Sequence, residues 1–258
     1  MLILAIESSA KPASVAVYDA FDYYPDNGTD GKDGQDNEHG NSGSGKLDVI
    51  NGNDGKLLGQ YFQNNGFSHS RTLLVMAESL LKNLDLKPSD IGLIAVARGP
   101  GSFTGIRIGV SAAKGLAWGL DIPVCGVSTL EAMAYQTPVP GVIICPVMDA
   151  RRDQVYNALF ECRDGSLVRL CDDRAISLED LASELQRYDK PCMPVGDGAA
   201  IAHGCIAHCC SVPELMRYQT AYGVALAALH TKPIPATDLE PCYLRPSQAE
   251  RVRTDTGI

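Results

Sequence analysis

The sequence predicts an α/β protein of two lobes, each built on a mixed sheet, and three observations predict it. Over residues 2–135 short apolar runs and amphipathic stretches follow the order strand, strand, strand, helix, strand, helix, strand, helix. At the middle of that order the apolar run 91–97 breaks at Gly99-Pro100-Gly101 and passes into a helix-forming stretch ending near Trp118. Pro138-Val139-Pro140-Gly141 then interrupts the pattern as a hinge would, and a smaller set of strands and helices follows. The expected division is 1–136 for the first lobe and 137–258 for the second, with a helix near 218–230 packing back on the first.

Residues 2–6 read as a buried strand and 13–18 as its hairpin partner, joined by the polar turn Glu7-Ser8-Ser9-Ala10-Lys11-Pro12. Residues 22–55 are rich in Asp, Asn and Gly and too poor in apolar groups to offset the entropy of ordering them, so a mobile acidic insertion is expected there. A calcium loop is the sharper alternative, but the bidentate Glu and flanking helices of an EF-hand are missing. Strand character resumes at 57–62. Residues 70–84 form a helix with Leu73, Ala77, Leu80 and Leu84 on one face and Leu74 and Leu81 beside them. That apolar arc is wide enough to serve either its own sheet or a partner.

The central turn leaves backbone N–H groups at a helix start, which can hold an anion or simply pack tightly. Ser102 or Thr104 is positioned to cap the helix. The helix carries Gly105, Gly109, Ser111, Ala112, Ala113, Gly115 and Ala117, and so many small residues point to close approach by another backbone. A strand at 124–127 and a short helix through Tyr135, capped by Ser128 or Thr129, complete the lobe. Beyond the hinge, strands are expected at 142–148, 154–161 and 193–195, with helices at 178–186 (capped by Ser177) and 218–230.

The formal net charge of −9 argues against a protein that grips nucleic acid by itself. Eight acids against Lys32 and Lys46 in the 22–55 segment account for −6 of it, leaving a nearly neutral body. No run reaches the roughly 18 apolar residues needed to span a membrane. The N-terminus lacks the basic region of a signal peptide, so a cytoplasmic protein is expected. Nine cysteines without framework spacing fit reduced thiols. His203, Cys205, His208, Cys209 and Cys210 form a dense group, but no second Cys-x-x-Cys pair completes a zinc site, and cysteines filling core gaps are the expected reading.

Glu7-Ser8-Ser9, Ser68-His69-Ser70, the segment from Gly99 to Gly109, Met148-Asp149-Ala150-Arg151 and Tyr243-Leu244-Arg245 together resemble the TsaB (YeaZ) family. The resemblance covers nearly the whole chain outside the acidic insertion. It implies the two-lobed actin, sugar-kinase and Hsp70 type of fold. It implies a non-catalytic scaffold that stabilises and orients TsaD, the paralogue that forms N6-threonylcarbamoyladenosine at position 37 of tRNAs reading ANN codons. TsaE and tRNA would be met through that complex, and a homodimer could form on the same surface.

The implied interface is the pair of helices at 70–84 and 104–118, through Leu73, Leu74, Ala77, Leu80, Leu81, Ile106, Gly109, Val110, Ala113 and Ala117. No catalytic residue and no metal are implied: Thr129 and Met133 stand where TsaD carries its metal-binding histidines. No cofactor is required, although Glu7, Ser8, Ser9, Asp149, Gly196 and Gly198 could give weak nucleotide binding. The family hairpin usually reads Asp-Thr-Ser, where Glu7-Ser8-Ser9 stands here. The alternatives are a kinase-like nucleotide enzyme or a peptidase of the same superfamily. The peptidase reading lacks both a His-Glu-x-x-His and a Gly-x-Ser-x-Gly elbow.

Overall fold

Alternation along the first strands divides the core of the first lobe in two. The computed structural model describes residues 1–21, 55–66 and 68–245 (Leu215 by its backbone alone), so the acidic stretch at 22–54 lies outside the described residues. Strands β1 (Leu2–Glu7), β2 (Ala13–Ala20), β3 (Gly55–Gln63), β4 (Ile91–Gly99) and β5 (Val124–Ser128) form one sheet in the order β3-β2-β1-β4-β5. The pairs β1–β2 and β2–β3 are antiparallel, whereas β1–β4 and β4–β5 are parallel.

Leu4 and Ile6 of β1 face one side, against helices α1 (His69–Asn83) and α2 (Phe103–Leu120). Ile3 and Ala5 face the other, against α3 (Thr129–Gln136) and α7 (Ala221–Ala228). Because both faces are covered, β1 and β4 read as near-continuous apolar runs rather than alternating ones.

The second lobe is organised on β6 (Ile143–Arg151). Its sheet runs β10 (Arg174–Ser177), β7 (Gln154–Asn157), β6, β8 (Phe160–Arg163), β9 (Ser166–Arg169), and β11 (Cys192–Val195) pairs with β6 in parallel. The sequence suggested one strand over 154–161. The structure breaks it into β7 and β8, although both keep a single antiparallel register on β6. The break falls opposite Pro146, which has no N–H to give, while Asn157 Nδ2 donates to the Pro146 carbonyl at 3.0 Å. Strands β9 and β10, like the short helices α5 (Ala199–His203) and α6 (Glu214–Arg217), were not anticipated. Helix α4 (Leu178–Leu185) buries Leu178, Leu181 and Leu185, and Ser177 Oγ caps it by accepting from Asp180 N at 3.0 Å.

Helix α7 follows the second lobe in the chain yet packs on the first sheet. It starts at Ala221 rather than 218 because side chains of that sheet supply its caps: Ser14 Oγ accepts from Ala221 N at 3.1 Å and Gln60 Oε1 from Tyr222 N at 2.9 Å. A Cβ at Gly223 would press into the Ala132 carbonyl, so glycine sets the close approach of α7 to α3. Among the described residues, no helix is long and apolar enough to cross a membrane.

Candidate functional site: an interlobe cleft and an outward helix face

The β1–β2 hairpin tip and the β4–α2 turn lock into each other. Ser102 N donates to the Ser9 carbonyl at 2.6 Å, and Ser8 Oγ donates to the Gly105 carbonyl at 2.9 Å. A Cβ at Gly105 would overlap the Ser8 carbonyl, and one at Gly109 would overlap Ser8 Oγ. These helix glycines are therefore filled by the hairpin of the same chain, which settles the sequence ambiguity in favour of tight packing at this point. Ser102 Oγ caps α2 by accepting from Gly105 N at 3.3 Å.

Behind this junction lies a buried acid. Glu7 has no exposed surface, and its Oε1 accepts from Ser9 N at 2.6 Å and from Ser9 Oγ at 2.5 Å. Its Oε2 has no hydrogen-bond partner among the described residues. Burial pushes the Glu7 carboxyl up to about 7, and the charge of Asp197 adds to the shift. Asp197, in the turn after β11, is raised by its own burial and by Asp149, and its Oδ1 is also unpartnered. The fully buried Gln219 faces the Asp197 carboxyl and moderates that rise. Glu7 from the first lobe and Asp197 from the second thus meet in an under-satisfied polar pocket.

In front of it a cleft of about 840 Å³ opens between the lobes, lined among others by Ser9, Lys11, His69, Ser102, Asp149 and Arg245. His69 Nε2 donates to the Ala10 carbonyl at 2.7 Å, tying the start of α1 to the hairpin tip. Of the residues assigned to weak nucleotide binding, Ser9 and Asp149 line this cleft. Glu7 and Ser8 are fully buried behind it. Gly196 and Gly198 are packed against Val147 and face no ligand space. Asp197, His69 and the Tyr243-Leu244-Arg245 wall were not singled out as binding residues, although His69 and 243–245 lie in segments that carry the family resemblance and Asp197 stands between two glycines.

The helix surface differs more sharply from expectation. Leu73, Ala77, Leu80, Leu81, Ile106, Gly109, Val110, Ala113 and Ala117 are all buried within the chain's own core. They cannot present a surface, because the first sheet already covers them. Leu74 is the member of that set that faces outward, at 51% exposure. Also exposed are Val75 beside it in the chain, at 58%, and, near the far end of α2, Trp118 at 82%.

The outward stripe of α2 runs Thr104, Arg107, Ser111, Gly115 and Trp118, spaced for one helix face. A Cβ at Gly115 or Gly119 would meet nothing within 4 Å, so no contact inside the chain requires glycine there.

Thr129 and Met133 lie in the core, and Glu131 instead pairs with Arg169 at 3.2 Å. Among the described residues no group of three or more His, Cys, Asp or Glu is placed to hold a metal ion. Of the cysteine-rich segment, Cys209 and Cys210 are half-buried and pack against buried apolar clusters, near the buried Ala202 and Ile206, whereas Cys205 is exposed.

With this geometry in place, residues 65–225 match the family profile described as TsaD, tRNA N6-adenosine threonylcarbamoyltransferase. The chain is 40% identical over 134 residues to the Bacillus subtilis tRNA threonylcarbamoyladenosine biosynthesis protein TsaB, covering 52% of this chain and 58% of that one. It is 32% identical over 149 residues to the Escherichia coli protein of the same name, covering 57% and 64%. The matched part therefore spans about three-fifths of the length of these relatives. YeaZ from Pseudomonas aeruginosa superposes with a TM-score of 0.70 at 22% identity, over 94% of this chain and 99% of that one. A second Pseudomonas aeruginosa structure, described as uncharacterized with similarity to peptidase YEAZ, gives 0.69 at 22% identity, over 95% and 99%. The profile match over more than half the chain and the TsaB relatives agree with the two-lobed geometry, and the chain belongs to the TsaB/YeaZ family.

Proposed function

We propose that this chain serves tRNA threonylcarbamoyladenosine formation as a non-catalytic partner of a TsaD-type transferase. It binds and orients that transferase through the outward face of α1 and α2. The observation that carries the reading is the large apolar side chains left exposed on these two helices, Leu74 and Val75 on α1 and Trp118 on α2, together with an outward Gly115 that no contact inside the chain requires. Outward glycine costs helix stability and permits backbone-close packing by another helix. TsaE and tRNA reach the chain through that complex, and in the absence of the transferase two copies pair weakly on the same face. The absence of imidazoles at Thr129 and Met133 supports a supporting role rather than a transferase one.

The test is reconstitution. Purified transferase, TsaE, ATP, threonine-derived adenylate and tRNA should give modified adenosine when this chain is added. Leu74→Glu should abolish the product while leaving the circular dichroism spectrum unchanged. Full product without the chain, or with Leu74→Glu, would overturn the proposal.

A weaker second reading attaches to the cleft, whose hydroxyls, Lys11 and Arg245 suit the phosphates of a nucleotide. Titration with a fluorescent ATP analogue should show saturable binding that Arg245→Gln weakens. Binding that is absent, or that this change leaves untouched, would remove it.

A further inference from the structure

The last described segment is a strap laid across the first lobe. Ile234 forms a two-hydrogen-bond bridge with Val124 at the edge of the sheet, 2.9 Å each way. Lys114 Nζ of α2 donates to the Thr237 and Leu239 carbonyls, both at 3.0 Å, and Leu239 is buried against the sheet. Cys242 N donates to the Arg98 carbonyl at 2.7 Å, and the Cys242 carbonyl takes the space that a side chain at Gly99 would need. The Tyr243 ring lies 4.7 Å from that of Phe103, and its Oη accepts from Arg107 Nε at 2.9 Å. The Arg107 guanidinium stacks 4.0 Å over the Phe103 ring. Two residues on, Arg245 Nη1 donates to the Ala150 carbonyl at 3.2 Å, on β6 of the second lobe.

Two features of this path belong to different places. Arg107 stands on the outward stripe of α2, beside Thr104 and Ser111. Ala150 sits on the far wall of the cleft, next to Asp149. Tyr243, Leu244 and Arg245 close the gap between them as part of the cleft lining.

We propose that the 239–245 strap is a latch that couples the outward face of α2 to the interlobe cleft through the chain Arg107, Tyr243, Arg245 and Ala150. When the latch is engaged the second lobe is held to the first at the cleft mouth. A change at Arg107, such as a helix packing over the α2 stripe, shifts Tyr243 and with it the hold of Arg245 on β6. The coupling to a partner rests on the function proposed above, whereas the latch itself does not. By linkage, a cleft ligand that favours one latch state would alter partner affinity by the same factor as the partner alters the ligand's.

The test is hydrogen–deuterium exchange on the full chain, read in peptides covering 99–106 and 143–157. In the free protein, Arg245→Gln should speed exchange around 148–151 about threefold or more, as expected of a released local contact. Tyr243→Phe keeps the ring stack but removes the hydroxyl, and it should produce the same change although the hydrogen bond it loses is to Arg107 of α2. The double variant should do no more than either single one, because both cut one path. Independent, additive effects, or unchanged exchange in both single variants, would overturn the latch.

With cognate transferase added, wild type should show altered exchange in 143–157, and Tyr243→Phe should bind equally but show no such alteration. Binding with the response intact in Tyr243→Phe would overturn the coupling. No binding by wild type would instead sink the partner reading and the coupling built on it, leaving the latch decided by the free-chain measurements.

Discussion

Glu7 shows how burial changes what a residue type can do. A carboxyl at a hairpin tip reads in the sequence as a solvated or phosphate-facing acid, yet here it is enclosed, with one oxygen unpaired. Below pH 4.5 it is protonated in both folded and unfolded chains. From there to about 7 the folded chain keeps a proton that the unfolded chain releases, so its contribution to stability falls as pH rises and then levels off. The shift corresponds to about 3 kcal/mol. Chemical denaturation of wild type against Glu7→Gln from pH 4 to 8 should show the variant gaining relative stability by roughly that amount across this window. A constant difference would contradict the burial account.

The glycines separate by what surrounds them. Gly115→Ala should stabilise the isolated chain by up to about 1 kcal/mol, since its Cβ enters open space on a helix. Gly105→Ala should destabilise it by several times as much, because the Ser8 carbonyl is in the way. Thermal melts of the two variants check both signs. The sequence shows that α2 is rich in small residues, but only packing distinguishes a glycine facing the hairpin from one facing outward.

Among the elements, local signals carried well and facing did not. Ser177 caps where spacing placed it, and of the pairs Ser102 or Thr104 and Ser128 or Thr129 the serine is the cap each time, because an N-cap is decided within four residues. Strand β4, the glycine turn and α2 were legible for the same reason. Which side of α1 meets the sheet was not, since apolar residues occupy most of its circumference and the sheet takes Leu73, Met76, Ala77, Leu80 and Leu81, leaving Leu74 and Val75 outside. Leu80→Ala should therefore cost about 2–5 kcal/mol in denaturant melts, while Leu74→Ala should change stability by no more than about 0.5 kcal/mol. Equal costs would mean that α1 is oriented differently. Strands β9 and β10 escaped notice because each is four residues long, and Arg169 and Arg174 within them serve ion pairs with Asp173 and Glu184 rather than an apolar face.

At the scale of the whole molecule, the two lobes are held by contacts that no single stretch of sequence announces. Arg169 joins Asp173 at 2.7 Å to Glu131 of α3 at 3.2 Å, and Ser128 Oγ donates to Asp173 at 2.5 Å, binding the second lobe to the end of the first sheet. Helix α7 crosses back, and the strap closes the cleft mouth from the other end of the chain. The fold class was legible because it follows from the order of elements, and the cleft was half legible because Ser9 lies on a hairpin tip and Asp149 just beyond the strand expected at 142–148, where β6 in fact continues to Arg151. Its third wall depends on where residues 242–245 return, which is a tertiary fact.

The central claim is that the outward α1–α2 face, and not the buried one, receives the transferase. Light scattering behind a sizing column, with this chain and its cognate transferase mixed at equal concentration, tests it most directly. The account predicts a defined complex for wild type and for a Lys56→Ala surface control, lost in both Leu74→Glu and Gly115→Phe although each variant alone elutes as folded protein. A complex that survives both substitutions would contradict it.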